Sequence, residues 1–338
     1  MKQSLAVKWR PKTFDQVCGQ GVAVQILKKA VETRSFKNCY LFAGDSGCGK
    51  TTLARCFADA INQGQGAPIE IDAASNNGVD QVRAIVEAGK HRAIESEYKI
   101  FIIDECHAIT TAGWQAYLKG LEETPPYTIY IFCTTEPNKI QETALNRMQR
   151  YNITKISQQD IMARLCAVCA AEGFTNYEVA CDFISKVCGG CMREAITKLE
   201  QCADFSTDLS MENVKQVLTG TSYEAMFVLS NALLVKDIET IFYVTDKLFN
   251  SGANLKSFVD LYLEFILDMT KYSLCSDVSI TNIPSYLQTS VDELNRNVSN
   301  KMWFNNLVDL LLKLKLDIRY DTSYKSTIEA YLIRFCKA

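Results

Sequence analysis

Histidine is almost missing from this 338-residue sequence. Only His91 and His107 occur, too few for a histidine-rich metal site or for chemistry that needs several imidazoles. Long apolar runs are missing too: no stretch reaches the ~18 residues that a membrane-spanning helix needs. The first residues, Met1 to Pro11, carry Lys2, Lys8 and Arg10 where a secretion signal would have an apolar core. An excess of basic charge is likewise lacking. Lys and Arg number 36 against 39 Asp and Glu, a net charge of −3, so the chain cannot coat nucleic acid with its whole surface. Any such contact must come from a local patch of Lys and Arg.

Cysteine, by contrast, is plentiful at 14 residues. Without a secretion signal this points to a reducing compartment, and a cytoplasmic location with no membrane partner is the expectation. Two pairs, Cys166-x-x-Cys169 and Cys188-x-x-Cys191, have the spacing of a four-thiolate zinc site. The first pair, however, falls inside a helical run, 158–172, where residues three apart lie side by side. Buried cysteine behaves there as a small hydrophobe. Helix packing is therefore preferred over zinc.

The pattern of apolar residues divides the chain. Short runs at Cys39–Ala43, Ile69–Asp72, Lys99–Asp104 and Ile129–Thr135 alternate with helix-like stretches, which predicts an α/β domain with a parallel sheet over residues 1–156. Ligands of such sheets gather at the carboxyl ends of the strands. From Ser157 onward only helical periodicity remains. Ser157 with Asp160 reads as a cap and Gly173 as a stop. Further helices are expected near 176–188, 192–205 and 210–218, with Gly220 and Thr221 as a joint, then Leu255–Tyr272 and Asn305–Leu316. Two helical domains, 157–220 and 221–338, follow from this.

The strongest motif is Gly44-Asp45-Ser46-Gly47-Cys48-Gly49-Lys50-Thr51, a G-x-x-x-x-G-K-[ST] loop between an expected strand and an expected helix from Thr51 to Ile61. Its glycines let backbone N–H groups face phosphate oxygens, and the helix N-terminus adds a positive dipole. Lys50 supplies charge to the β and γ phosphates of ATP, and Thr51 offers its hydroxyl to Mg²⁺. Gly44, Gly47, Cys48, Gly49, Lys50, Thr51 and Thr52 are thus the expected nucleotide contacts. Asp45 is an acid out of place beside phosphate, and its side chain is expected to point outward. A second motif, Lys99-Ile100-Phe101-Ile102-Ile103-Asp104-Glu105, is a strand ending in two acids. Asp104 can hold Mg²⁺ through water and Glu105 can polarise an attacking water; the bland alternative is a solvated acidic turn. Thr135, at the end of Ile129–Thr135, either meets that water or merely caps its strand. Arg147 and Arg193 suit charge on a transferring phosphoryl group, although spacing alone does not separate them from other surface arginines.

Taken together, these residues resemble one family. Lys8-Trp9-Arg10-Pro11-Lys12-Thr13-Phe14, the Gly44–Thr51 loop, Glu70-Ile71-Asp72-Ala73-Ala74-Ser75-Asn76-Asn77-Gly78-Val79, Asp104-Glu105-Cys106-His107 and Leu121-Glu122-Glu123 appear in order. The chain looks like the gamma/tau subunits of bacterial DNA polymerase III, AAA+ clamp-loader ATPases related to replication factor C. The likeness is dense over 5–220 and thin beyond, where Asp317 to Cys336 looks like the family's final helix. It implies an AAA+ P-loop domain, a small helical lid and an all-helical collar that joins a five-subunit ring. It also implies a Walker B pair at Asp104 and Glu105, sensor 1 at Thr135 and sensor 2 at Arg193. Arg147 would reach the ATP of a neighbouring subunit in trans, while Trp9, Arg10 and Pro11 would lie near the adenine. The partners implied are the other loader subunits, a sliding clamp and primer-template DNA, with Arg83 as the candidate DNA contact.

Three departures stand out. The family's Ser-Arg-Cys reads Asn146-Arg147-Met148, so the arginine stays while its flanks change. Ala60 to Pro68 is a short link where bacterial members carry a four-cysteine zinc module. The chain also stops after the collar without the long tail of tau, and a phage or divergent bacterial source would explain such a compact version. Other readings are a non-hydrolysing structural loader subunit, which usually has a broken phosphate loop, and another AAA+ motor of the branch-migration type. A DEAD-type helicase matches Asp104-Glu105-Cys106-His107 but needs a second α/β domain, which the helical 157–338 region does not offer.

Overall fold

The computed structural model describes residues 3–218, 223–250, 254–277, 280–284, 287–300 and 302–337, with backbone only at 212, 215 and 216. Two units emerge, one formed by 1–174 with 188–201 and the other by 175–187 with 202–338.

The first unit is built on a five-stranded sheet, β1 (Cys39–Ala43), β2 (Ile69–Asp72), β3 (Lys99–Asp104), β4 (Thr128–Thr134) and β5 (Gln149–Asn152), in the order β2-β3-β4-β1-β5. Every pairing is parallel, so each return crosses over through a helix. Those helices are α1 (Leu5–Lys8), α2 (Gly21–Glu32), α3 (Lys50–Ile61), α4 (Val79–Gly89), α5 (Thr111–Glu122), α6 (Glu142–Leu145) and α7 (Gln158–Glu172), followed by the start of α9 (Met192–Phe205). Because side chains alternate along a strand, Tyr40, Phe42, Ile100, Ile102, Ile129 and Ile131 meet Leu27 of α2 and Leu53, Phe57 and Ile61 of α3 on one face. Leu41, Phe101, Ile103, Tyr130 and Phe132 meet Val82 of α4 and Trp114 and Tyr117 of α5 on the other. β1, β3 and β4 are buried on both faces, as their near-continuous apolar runs predict, whereas β2 at the sheet edge is mostly exposed.

β5 was not legible in advance. Gln149-Arg150-Tyr151-Asn152 buries only Tyr151, and the segment is a strand because it pairs with β1 at the sheet edge rather than through its own apolar pattern. The capping expectations describe α7 well. Ser157 Oγ accepts the Asp160 N–H at 3.1 Å, and Gly173 ends the helix at φ +77°.

The second unit is helical: α8 (Glu178–Val187), the end of α9, α10 (Met211–Leu218), α11 (Tyr223–Val235), α12 (Ile238–Asn250), α13 (Leu255–Cys275), α14 (Gln288–Asn297), α15 (Met302–Asp317) and α16 (Tyr324–Lys337). Its core gathers Phe258, Tyr262, Phe265, Ile266 and Met269 of α13 around Leu307, Leu311 and Leu314 of α15. The expected final helix over 317–336 is corrected to α16. Asp317 ends α15, and the Asp321 carboxylate takes the Ser323 N–H at 2.7 Å and the Thr327 hydroxyl at 2.6 Å, holding a turn between the two helices. The expected joint at Gly220 and Thr221 lies outside the described residues. Among those residues no helix is long and apolar enough to cross a membrane.

Candidate functional site

The loop after β1 is tied down from both sides, with Gly44 donating its N–H to the Thr134 carbonyl at 3.1 Å and Ile153 donating to the Ala43 carbonyl at 2.7 Å. Gly47 and Gly49 sit at φ +71° and +96°, a backbone region that L side chains rarely adopt. A side chain at Gly47 would also overlap the sulfur of Cys191. Gly49 caps α3, so the first N–H groups of that helix open onto the loop. Lys50, only 6% exposed, donates to the carbonyls of Gly44 at 3.0 Å and Asp45 at 2.9 Å. These partners are neutral, which leaves a nearly buried positive charge able to receive an anion. Buried Gln20 buttresses the loop by donating to the Thr154 carbonyl at 2.7 Å and the Cys48 carbonyl at 3.4 Å. Asp45 points away, exposed and 3.8 Å from Lys155.

At the tip of β3, Asp104 accepts the Thr51 hydroxyl at 2.7 Å through Oδ2 and the Glu105 N–H at 3.0 Å through Oδ1. A hydroxyl beside a carboxylate is an oxygen donor set that suits Mg²⁺. Glu105 adopts φ +47°, unusual for a residue with a side chain, and its Oε2 accepts the Thr135 hydroxyl at 3.2 Å. Both acids line a cleft of about 410 Å³ together with Gly47, Cys48, Gly49, Lys50, Thr51 and Thr52.

The far wall of the cleft comes from the N-terminal segment and from α7 and α9. Trp9 donates its indole N–H to Glu172 at 2.6 Å, and Arg164 donates to the Trp9 carbonyl at 2.7 Å. Leu5 and Ser4 are held by Glu200 of α9. Trp9, Arg10 and Pro11 therefore reach the cleft, and Arg193, in the first turn of α9, lines it as well. Burial, then the charges of Arg55 and Arg193, push the Arg10 guanidinium below its ordinary pKa, with Glu70 acting against them. Arg55 has a buried Nε without a partner among the described residues. This cluster of cations, in which Arg55 is already ion-paired with Glu70 at 2.5 Å, fits an anionic ligand.

Four expected residues lie outside this lining. Gly44 sits beneath the loop, where a Cβ would strike the Ile153 carbonyl, and Thr135 reaches the site only through its hydrogen bond to Glu105. Arg147 is ion-paired with Glu122 at 2.5 Å and donates to the Thr143 carbonyl at 2.8 Å. Arg83 lines a separate groove between α4 and α5. Sequence reasoning missed Arg55, Glu70 and Arg164, which also line the cleft. Arg55 had a signal, standing four residues after Thr51 on one face of α3. Arg164 had none, since it enters from a different helix. Burial raises the Cys188 thiol to about 12, so it stays protonated at neutral pH.

A family profile described as DNA polymerase III, delta subunit, matches residues 67–157. DNA polymerase III subunit tau of Bacillus subtilis is 29% identical, the match covering 99% of this chain and 63% of that protein. DNA polymerase III subunit gamma/tau of Mycoplasma genitalium is 30% identical over 87% of this chain and 53% of its own. The Mycobacterium tuberculosis counterpart is 36% identical over 49% of this chain and 33% of its own. The chain thus spans less than two thirds of these relatives. Among solved structures, the Thermotoga maritima RuvB Holliday junction branch migration motor superposes with a TM-score of 0.54 at 18% identity, covering 67% of this chain and 79% of that one. At that identity the likeness speaks for the AAA+ fold alone.

Proposed function

We infer that this chain, a homologue of the bacterial DNA polymerase III gamma/tau subunits, is the ATP-hydrolysing subunit of a sliding-clamp loader. The observation that carries the reading is the cleft itself: an intact phosphate loop faces Asp104 and Glu105, with Thr51 bound to Asp104 at 2.7 Å. Residues 1–156 act as the ATPase domain, 157–220 as the lid and 221–338 as the collar. Gly47, Cys48, Gly49, Lys50, Thr51 and Thr52 bind the phosphates, and Trp9, Arg10 and Pro11 flank the base. Mg²⁺, when bound, would be held by Thr51 and Asp104 and neutralises phosphate charge. Glu105 takes a proton from the attacking water, with Thr135 steering its carboxylate and Arg193 meeting the γ phosphate. Arg147 serves the cleft of a neighbouring subunit and Arg83 meets the DNA backbone. The loader works in the cytoplasm as a pentameric ring with partner subunits, the clamp and primer-template DNA.

Steady-state ATP hydrolysis, with and without primer-template DNA and the cognate clamp, tests this reading. Stimulation that requires both is expected, and Glu105→Gln should keep nucleotide binding while turnover falls about a hundredfold or more. Stimulation by DNA alone, indifferent to the clamp, would instead favour a motor of the branch-migration kind.

A further inference from the structure

We propose that His107 is a positioning residue for Glu105, linking its carboxylate to Glu136 at the end of β4. The proposal rests on the reading of Glu105 as the base. His107 lies in the turn Cys106–Ala108 just after β3, with its side chain 18% exposed. Its Nδ1 stands 3.1 Å from the Thr134 hydroxyl and 3.4 Å from Glu105 Oε2, and its Nε2 stands 3.5 Å from Glu136 Oε1. One ring therefore separates two carboxylates, each facing a different nitrogen.

Glu105 needs such support. It follows the strand at a positive φ, and its side chain is 39% exposed, so neither the sheet nor close packing fixes its aim. Only Thr135 and His107 meet Oε2 among the described contacts. On the other side, the Thr134 hydroxyl already accepts the Glu136 N–H at 3.0 Å, and Glu136 Oε1 accepts from Lys139 at 2.9 Å. That bond to Lys139 holds the Glu136 carboxyl below its usual range, so Glu136 remains an anion. Without the imidazole, Glu105 Oε2 would keep only the Thr135 hydroxyl, and the half-exposed carboxylate would be free to swing from the water. At 3.4 to 3.5 Å the ring contacts are looser than ordinary hydrogen bonds. The series Lys139, Glu136, His107, Glu105 runs from an exposed lysine into the cleft.

The test uses the full chain with its loader partners. ATP turnover and fluorescent-ATP binding are measured for His107→Ala, His107→Asn and Glu136→Gln, alone and combined with Glu105→Gln. His107→Ala should lower kcat about tenfold or more with KM and nucleotide affinity within about twofold. Asparagine, which keeps an N–H near the Nδ1 position, should restore most of the loss, and Glu136→Gln should shift kcat without shifting affinity. In the Glu105→Gln background, His107→Ala should add nothing, because the two act as one unit. Unchanged kcat in His107→Ala overturns the proposal, as does a fall shared equally with affinity and melting temperature, the mark of a structural role. Full turnover in Glu105→Gln alone instead removes the base reading, and the task of His107 with it. Whatever the turnover, a crystal structure of His107→Ala with a bound ATP analogue should show the Glu105 carboxylate displaced; a carboxylate in its original place overturns the proposal.

Discussion

Tyr117 carries a hydroxyl into the space between α5 and the sheet, where it has no partner among the described residues. The ring is 1% exposed and packs edge-on against Phe132 at 5.3 Å, so its contribution comes from apolar area and ring geometry. Burial pushes its phenol far above the ordinary range, so it stays neutral at any working pH. A buried donor without a partner costs about 1–3 kcal/mol relative to a site that never had one. Tyr117→Phe should therefore leave stability unchanged or raise it by about 1 kcal/mol, as read from urea unfolding midpoints. A loss of similar size would mean that the hydroxyl is bonded after all. Lys50 differs, since its nearly buried charge is met only by the neutral carbonyls of Gly44 and Asp45.

Elements are stopped and started by a few residues whose chemistry is local, and this made much of the first unit readable. Ser157 and Gly173 bracket α7 because a hydroxyl can take an N–H and glycine can adopt φ +77°. Ser157→Ala should cost about 1 kcal/mol, and Gly173→Ala a comparable amount from left-handed strain. Thermal unfolding checks both, and it should show additive losses since the two sites share no partner. The same locality explains the legible half of the cleft: Gly44 to Thr51, and Asp104 with Glu105, are contiguous runs at strand ends. Arg164 lines the opposite wall, and Glu172 and Glu200 hold the N-terminal segment there, all from helices far along the chain. Nothing in their own neighbourhood marks them, so only tertiary packing reveals their task. β5 escaped for a related reason, being polar and made a strand by its neighbour β1. The resemblance starts the final helix at Asp317 instead of Tyr324, because the turn before α16 is made by the Asp321 carboxylate and carries no glycine or proline signal.

On the scale of the whole molecule, Arg147 poses the question of what completes the active site. Its guanidinium is held by Glu122 and the Thr143 carbonyl, and it takes no part in lining the cleft of its own chain. With its side chain 40% exposed, it can be presented outward. In the trans role proposed for it, this arginine would meet a neighbour's γ phosphate. Two inactive variants should then rescue each other. Arg147→Ala keeps an intact cleft but offers no arginine, and Lys50→Ala offers the arginine but has a damaged cleft. Each alone should lose about a hundredfold or more in turnover, as removal of such a charge does in phosphoryl transfer. Rings containing both, identified by native mass spectrometry, should regain part of that loss wherever an intact cleft meets an intact arginine. Arg147→Ala should also bind ATP as tightly as the parent chain, because its own phosphate loop is untouched. Turnover in mixed rings no higher than the average of the two variants would return Arg147 to the service of its own chain. Glu122 would then be its reason for being there.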